Sequence, residues 1–565
     1  MLCSQTDNPS QLKTGDLERV RDEYASGASV EEVASRLGYE SDEVFLAKLA
    51  EALGFEYLDL SQVSIDSAAL AGFPLRLVHR YQVIPVADRP DGLLVAIGNP
   101  FDIYAIDAIN AAVEKPVIPA VAKPSEVSRV IKSHLGVGAE TVDGLIALQE
   151  DEDVQLLDDV EFGDSEDAEI AQEASVVRLV NEILIEAVEA RASDIHVESH
   201  ESGIKIRYRI DGILQRQPAP AAINRFHAAI VSRLKIMARM NIAEKRLPQD
   251  GRIKLRVQGR EIDIRVSVIP MLHGEGIVMR ILDKESLNFT LRHLGMSEAV
   301  YKRFGDLIRL PHGILLVTGP TGSGKTTTLY SALSEIRSEE TKIITTEDPI
   351  EYQLDGINQI QVHSKVGLTF AASLRSILRH DPDVVLVGEI RDLETAENAV
   401  QASLTGHLVF STLHTNDAAG AFLRLCDMGV EPFLATSTIE GVMAQRLVRR
   451  LCDHCRRPVD VSQLDLPDDF PEPRERADDR PVYEAVGCRE CRHTGFKGRL
   501  GLYELLIPDD RVRELANERT ASHLVKQQAM RIGMTTLRDD GWDKVVTGAT
   551  TLDEVLRVTK ADGHA

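Results

Sequence analysis

Gly319-Pro320-Thr321-Gly322-Ser323-Gly324-Lys325-Thr326 fits the pattern G-x-x-x-x-G-K-[ST], and its reading decides the fold. The glycines let backbone N–H groups turn inward around phosphate oxygens. Lys325 brings a cation to the same oxygens, and the Thr326 hydroxyl is a natural Mg²⁺ ligand. The flanks agree. Ile314-Leu315-Leu316-Val317 reads as a short buried strand. Thr327 to Arg337 reads as a helix whose N-terminus favours an anion. Strand, glycine-rich turn and helix together predict an α/β nucleotide-binding domain, with Gly319 to Thr327 around the phosphates.

Three further clusters sit at the ends of expected strands. Lys342-Ile343-Ile344-Thr345-Thr346 runs into Glu347-Asp348-Pro349-Ile350-Glu351. Asp383-Val384-Val385-Leu386-Val387 ends in Gly388-Glu389-Ile390-Arg391-Asp392. An apolar strand that ends in an acid is the usual second half of a nucleoside-triphosphatase site, because the carboxylate meets the Mg²⁺ shell or the attacking water. In the third cluster, His407 and His414 flank the strand Leu408 to Leu413. Parallel strands would bring such ends to one sheet edge. Both histidines are therefore expected as sensors of the γ-phosphate or of a neighbouring site, against the plainer reading of structural histidines.

The chain has 565 residues, enough for three or four domains, and is 43% hydrophobic. No run approaches the roughly 18 apolar residues of a membrane span. Met1 to Lys13 lacks the apolar centre of a signal peptide, so a cytoplasmic location is expected. The net charge of −25 argues against general binding to nucleic acid or anionic lipid. Membrane association is then expected only through protein partners.

Residues 1–137 read as a small α/β domain with no catalytic constellation, whose natural role is docking. Val30 to Leu53 has helical periodicity, and Tyr81 to Val86 and Gly92 to Ile97 read as strands. A linker at 138–174 follows. Between Glu150 and Glu173 it has twelve acidic residues and no basic one, about half the net charge. Such a stretch repels itself and is expected to be a solvated spacer rather than an acidic recognition tail. Residues 175–295 form a second α/β unit, with a helix from Val176 to Arg191 and strands at Ser193 to Glu198 and Ile204 to Ile210. It is rich in arginine: Arg207, Arg209, Arg225, Arg233, Arg246, Arg252, Arg265 and Arg280. Most are ordinary surface or ion-pair residues; one or two are candidates for reaching a γ-phosphate in a neighbouring subunit.

The nucleotide domain spans 296–450. At 451–500, Cys452-x-x-Cys455 and Cys488-x-x-Cys491 are separated by 32 residues. Two such pairs suit a closed tetrahedral site, typical of structural zinc, rather than unligated thiols. The intervening acidic loop must extend away. Residues 501–565 read as a helical C-terminal region.

Together, the loop Gly319 to Thr328, the Glu347 to Glu351 box, Gly388 to Asp392, Thr405-Gly406-His407, Ser411 to Asn416 and the tetracysteine insert resemble the secretion ATPase superfamily. The likeness is greatest to the assembly ATPase of type II secretion, the general secretory pathway E protein. The motor that extends type IV pili is close behind. The resemblance is strong over about 175–510. It implies a RecA-like ATPase core preceded by a small PAS-like α/β domain and an N-terminal docking domain. It implies a homo-hexamer that hydrolyses ATP with Mg²⁺ to drive pilin-like subunits out of the inner membrane through a polytopic platform protein, tethered by a membrane-anchored partner. By the same resemblance Lys325 lies in the Walker A loop, Glu351 activates water and Glu389 is the Walker B acid. His407 and His414 form the histidine box, and Arg207, Arg209 and Arg225 hold the arginines that act in trans. Some relatives carry a cyclic dinucleotide motif near the N-terminus; only Arg36-Leu37-Gly38 of it is recognisable, and that ligand is not assigned. Two readings from other classes remain: a nucleic-acid translocase, which the acidic balance disfavours, and a non-catalytic ATP- and zinc-binding scaffold, which Lys325, Glu351 and Glu389 disfavour.

Overall fold

The computed structural model describes residues 14–25, 29–39, 41–63, 65–66, 69–70, 73–74, 77–78, 81–113, 115–135, 154–156, 174–219, 221–283, 290–460, 464–471 and 481–560. Most of the acidic stretch expected as a spacer, together with Met1 to Lys13, lies outside these residues. The chain divides into two units, 1–283 and 284–565. No helix among the described residues is long and apolar enough to cross a membrane.

The first unit holds two sheets. Strands β1 (Glu56–Tyr57), β2 (Val83–Arg89), β3 (Gly92–Ile97) and β4 (Val117–Val121) form the order β1-β4-β3-β2. The stretch with helical periodicity, Val30 to Leu53, forms two helices, Val30–Arg36 and Asp42–Leu53. The break has local causes. Gly38 takes φ +78°, and the Ser41 side chain accepts the Val44 N–H as an N-cap. Phe45, Leu46 and Leu49 of the second helix are fully buried.

Strands β5 (Val154–Leu156), β6 (Ala192–His200), β7 (Gly203–Ile210), β8 (Ile213–Arg216), β9 (Gln249–Val257), β10 (Arg260–Met271) and β11 (Gly274–Asp283) form an antiparallel sheet, β5-β9-β10-β11-β6-β7-β8. β5 lies inside the acidic stretch and adds an edge strand to β9. Charge composition hid it, because Val154, Leu156 and Leu157 are the only large apolar residues between Glu150 and Val160. In β7 the period of two buries Ile204, Ile206 and Tyr208 and turns Lys205, Arg207 and Arg209 to the other face.

The second unit is built on β12 (Gly313–Thr318), β13 (Ile343–Glu347), β14 (Asn358–Gln361), β15 (Val384–Val387), β16 (Leu408–Leu413), β17 (Ile439–Leu451) and β20 (Phe496–Leu506). The order is β14-β13-β15-β16-β12-β17-β20, parallel throughout except for β20 against β17. β12, β15 and β16 are buried at every residue, as strands covered by helices on both faces must be. A small two-stranded sheet, β18 (Arg457–Val459) with β19 (Val482–Glu484), belongs to the cysteine insert. β17 has 13 residues and β20 has 11, so the insert is an excursion from the far end of this long pair. The sheet therefore continues past residue 450 and closes only at Leu506. Four helices follow: Asp510–Asn517, Ser522–Arg531, Leu537–Val546 and Leu552–Val558.

Candidate active site and metal centre

The phosphate loop leaves β12 at Thr318 and enters the helix Lys325–Ile336 at Gly324. That helix has no side-chain cap, which leaves its first N–H groups free for an anion. Gly319 (φ +149°) and Gly324 (φ +88°) are required by crowding as well as by conformation. A Cβ on Gly319 would lie 2.5 Å from the Gln445 carbonyl oxygen, and one on Gly324 would lie 2.8 Å from the Gln445 side-chain nitrogen. The loop rests directly on Gln445, which is buried and accepts the Thr328 hydroxyl at 2.8 Å.

Lys325 Nζ donates to the carbonyls of Gly319 (2.8 Å) and Pro320 (3.1 Å). Two of its three donors hold the ammonium over the loop, and one remains for a ligand. Burial pushes the Lys325 pKa down, while Glu389 acts in the opposite direction.

Glu389 follows β15 at the same sheet edge, and its side chain is 14% exposed. Burial alone would raise its pKa. Arg391, 2.5 Å away, and His414, whose Nε2 lies 3.3 Å from Oε2, outweigh that and hold the carboxylate below its ordinary range. Glu347, at the end of β13, is buried and accepts from the Tyr330 hydroxyl, the Thr345 hydroxyl and Gln359 (3.1 Å). Glu351 is half-buried in the segment that continues from β13, with its backbone beside the Tyr330 hydroxyl. The Thr318 hydroxyl accepts the Thr415 N–H at 2.8 Å and so ties the phosphate-loop strand to the loop that carries His414.

The sheet brings Lys325, Glu389 and His414 together, with Glu351 at the same edge. It does not bring His407. β16 runs parallel to β12, with Leu408 opposite Gly313 and Leu413 opposite Thr318. His407 therefore precedes the strand, and the Gly313 N–H donates to its carbonyl. Six residues of strand put it about 20 Å from the loop edge. Its Nδ1 lies 2.9 Å from the Ala402 carbonyl, a structural contact. The expectation that both histidines share one edge is corrected for this one.

The candidate trans arginines belong to the first unit. Arg207 makes two 2.7 Å contacts to Glu198. Arg209 lies 3.6 Å from Asp194 and donates to the Gly212 carbonyl at 3.0 Å. Arg225 is exposed in a turn of 3₁₀ helix. The sequence reading assigned no role to Tyr330, and none to Thr415 or Gln445 beyond the motifs they sit in, because their contacts with Glu347, Thr318 and Thr328 join segments far apart in the chain.

The thiols of Cys452, Cys455, Cys488 and Cys491 lie within 4.8 Å of one another. Sγ separations are 3.8 Å (Cys452–Cys488), 3.7 Å (Cys455–Cys491) and 3.8 Å (Cys488–Cys491). A tetrahedron with Zn–S arms of about 2.3 Å has edges of about 3.8 Å, so the donor set fits zinc. The N–H groups of Cys488 (3.1 Å) and Gly495 (3.2 Å) point at the Cys491 sulfur, as they would toward a thiolate.

The family model described as type II/IV secretion system protein matches residues 169–557, and one described as the MshEN domain matches residues 53–141. The chain is 45% identical over 560 residues to a type II secretion system protein E of Xanthomonas campestris pv. campestris, covering 97% of this chain and 96% of the relative. It is 42% identical over 515 residues to the type IV pilus assembly ATPase PilB of Myxococcus xanthus, covering 91% and 90%. The crystal structure of the pilus retraction motor PilT with bound ADP is 28% identical, covers 67% of this chain and 97% of that one, and superposes with a TM-score of 0.47. A complete phosphate loop, an acid after β15 at the same edge of the sheet and a family match across more than half its length agree: the chain is an ATP-hydrolysing member of the type II/IV secretion system protein family.

Proposed function

We propose that this chain is the motor of a type II secretion machine. It works as a homo-hexamer in the cytoplasm, held at the inner membrane by a membrane-anchored partner and a polytopic platform protein. Its ATP hydrolysis drives assembly of a pseudopilus and thereby protein export. The observation that carries the chemistry is that Lys325, Glu389 and His414 meet at one edge of a parallel sheet. Lys325 offers its remaining donor to a phosphate oxygen. Gly319 to Thr327 supply backbone N–H groups around the phosphates. His414 reads the γ-phosphate from its place beside Glu389. Glu351 takes the proton from the attacking water, a task closed to Glu347, whose oxygens are filled by Tyr330, Thr345 and Gln359. Thr326 and Glu389 would hold Mg²⁺ through their oxygens, and the ion would supply neutralisation of phosphate charge. Arg209 or Arg225 completes the site of a neighbouring subunit. Zinc on the four cysteines fixes the insert, and residues 1–137 dock.

Relatives named for type II secretion support this reading, at 45% identity over nearly the whole chain. Pilus assembly is the second reading, supported by the 42% identity to a pilus assembly ATPase. Expression in strains that lack one or the other motor separates them: restored export of a secreted enzyme supports secretion, and restored pilus extension overturns it. Subunit mixing tests the shared site. Arg209→Ala and Glu389→Ala chains, each slow alone, should regain activity together, because one interface then has both groups. No recovery in rings that exchange subunits defeats the trans role.

A further inference from the structure

β17 outruns β12. The two are parallel, and their pairing ends with Thr318 opposite Ala444. The next residues of β17, Gln445 and Arg446, therefore run alongside the phosphate loop. The approach is close enough that a Cβ on Gly319 would lie 3.2 Å from an Arg446 guanidinium nitrogen.

The charge of Arg446 is half-buried and, among the described residues, is held directly by neutral groups only. It donates to the Asn416 backbone carbonyl (3.1 Å), the Asn416 side-chain oxygen (3.2 Å) and the Gln445 carbonyl (3.4 Å). Asp417 and Glu504 act on it at longer range, but both are committed elsewhere. Asp417 caps Gly420 N at 2.9 Å. Glu504 accepts the N–H groups of Ala418 (2.8 Å) and Leu537 (3.3 Å) and pairs with Lys526 (3.3 Å). Burial lowers the pKa of Arg446, and Arg446 in turn lowers that of Lys325. Two cations thus face one small glycine-rich loop. A desolvated guanidinium without a carboxylate is costly, and a phosphate group is the anion whose geometry its donors match.

We propose that Arg446 is a second cationic contact to the nucleotide's phosphates, supplied by the same chain as the loop and positioned by the β12–β17 register. The proposal rests on the reading of Gly319 to Thr326 as the nucleotide site. It is tested by calorimetric titration of the full-length chain with ADP and with adenosine, and by competition with inorganic tripolyphosphate. Arg446→Ala is expected to weaken ADP and tripolyphosphate binding about 10- to 100-fold, the range for a hydrogen bond to a charged group, and to leave adenosine binding as it was. Arg446→Lys should regain part of the loss. Equal weakening of ADP and adenosine would assign Arg446 a structural role and overturn the proposal, as would unchanged ADP binding. If Arg446→Ala does not fold, the same ADP-against-adenosine comparison is made on Arg446→Lys. Lys325→Ala is titrated in parallel. If it binds ADP like the parent, the loop reading itself fails; if it is weakened while Arg446→Ala is not, only the role of Arg446 fails.

Discussion

Strand β17 touches two sites that treat their polar groups in opposite ways. Beside Gln445 and Arg446, partners are short. The Ser323 hydroxyl is buried with no hydrogen-bond partner among the described residues. Lys325 leans on carbonyls of its own loop, and Arg446 has only neutral acceptors. Just beyond the C-terminal end of the strand, at Cys452, the polar groups are more fully matched. Four sulfurs face one another, and two N–H groups serve Cys491. Below them Arg456 bonds the Gly548 carbonyl, and Arg449 pairs with Glu554. A site that must admit and release a ligand keeps bonding capacity in reserve; a site that only holds an ion spends most of it. The difference fits a working site at the loop and a clamp at the cysteines.

If that contrast holds, damage at the open site should cost rate and damage at the closed site should cost stability. The largest effect is expected for Glu389→Gln, with ATP turnover down about 10²- to 10³-fold, the fold kept, and a melting temperature lowered only by the lost pairing with Arg391 and His414. A loss of fold instead would place Glu389 among the structural carboxylates. Next is the histidine pair. His414→Ala should slow turnover about tenfold or more, whereas His407→Ala should change it less than about threefold, since its ring bonds the Ala402 carbonyl on the opposite edge. Equal effects would undo the distinction between the two edges. Cys491→Ser should lower bound zinc from about one per chain and drop the melting temperature by several degrees. Its effect on turnover should be the smaller one, passed along β17. A zinc-free preparation that melts like the parent would refute the clamp.

The smallest effect concerns pH. The Glu389 carboxylate has a lowered pKa in the folded protein, so its ionised form contributes stability at and above the ordinary glutamate range, and this is lost as pH falls through the lowered value. Arg391→Ala removes the main opposing cation and leaves burial, which raises the pKa. The acid limb of turnover should then move to higher pH. A limb that stays in place or moves down would show that Glu389 does not set it.

The sequence displayed what depends on neighbours in the chain. The Gly319 to Thr326 loop, the apolar strand ending at Glu389 and the two cysteine pairs are all local patterns, and the structure gathers them as those patterns imply. What escaped depends on register between distant segments. Gln445 and Arg446 reach the loop only because β17 outruns a strand more than 120 residues earlier. The β17–β20 pairing, which makes the cysteine insert an outgrowth of the main sheet, also joins separated segments, with Leu451 opposite Phe496. The placement of His407 was within reach of strand polarity, since a residue before a parallel strand lies opposite one after it. The helix break near Gly38 also had its local marks, a glycine followed by Ser41 ahead of an acidic first turn.

The most direct test is steady-state ATP turnover by the purified full-length chain beside Lys325→Ala, with both melted in parallel. Lys325 adds charge stabilisation where the γ-phosphate is transferred, and removing one such group costs about 10²- to 10³-fold in rate. Expected is that loss together with a melting temperature close to the parent's, because Lys325 bonds only carbonyls of its own loop. Turnover near the parent rate in Lys325→Ala would contradict the assignment of Gly319 to Thr326 as the catalytic nucleotide site.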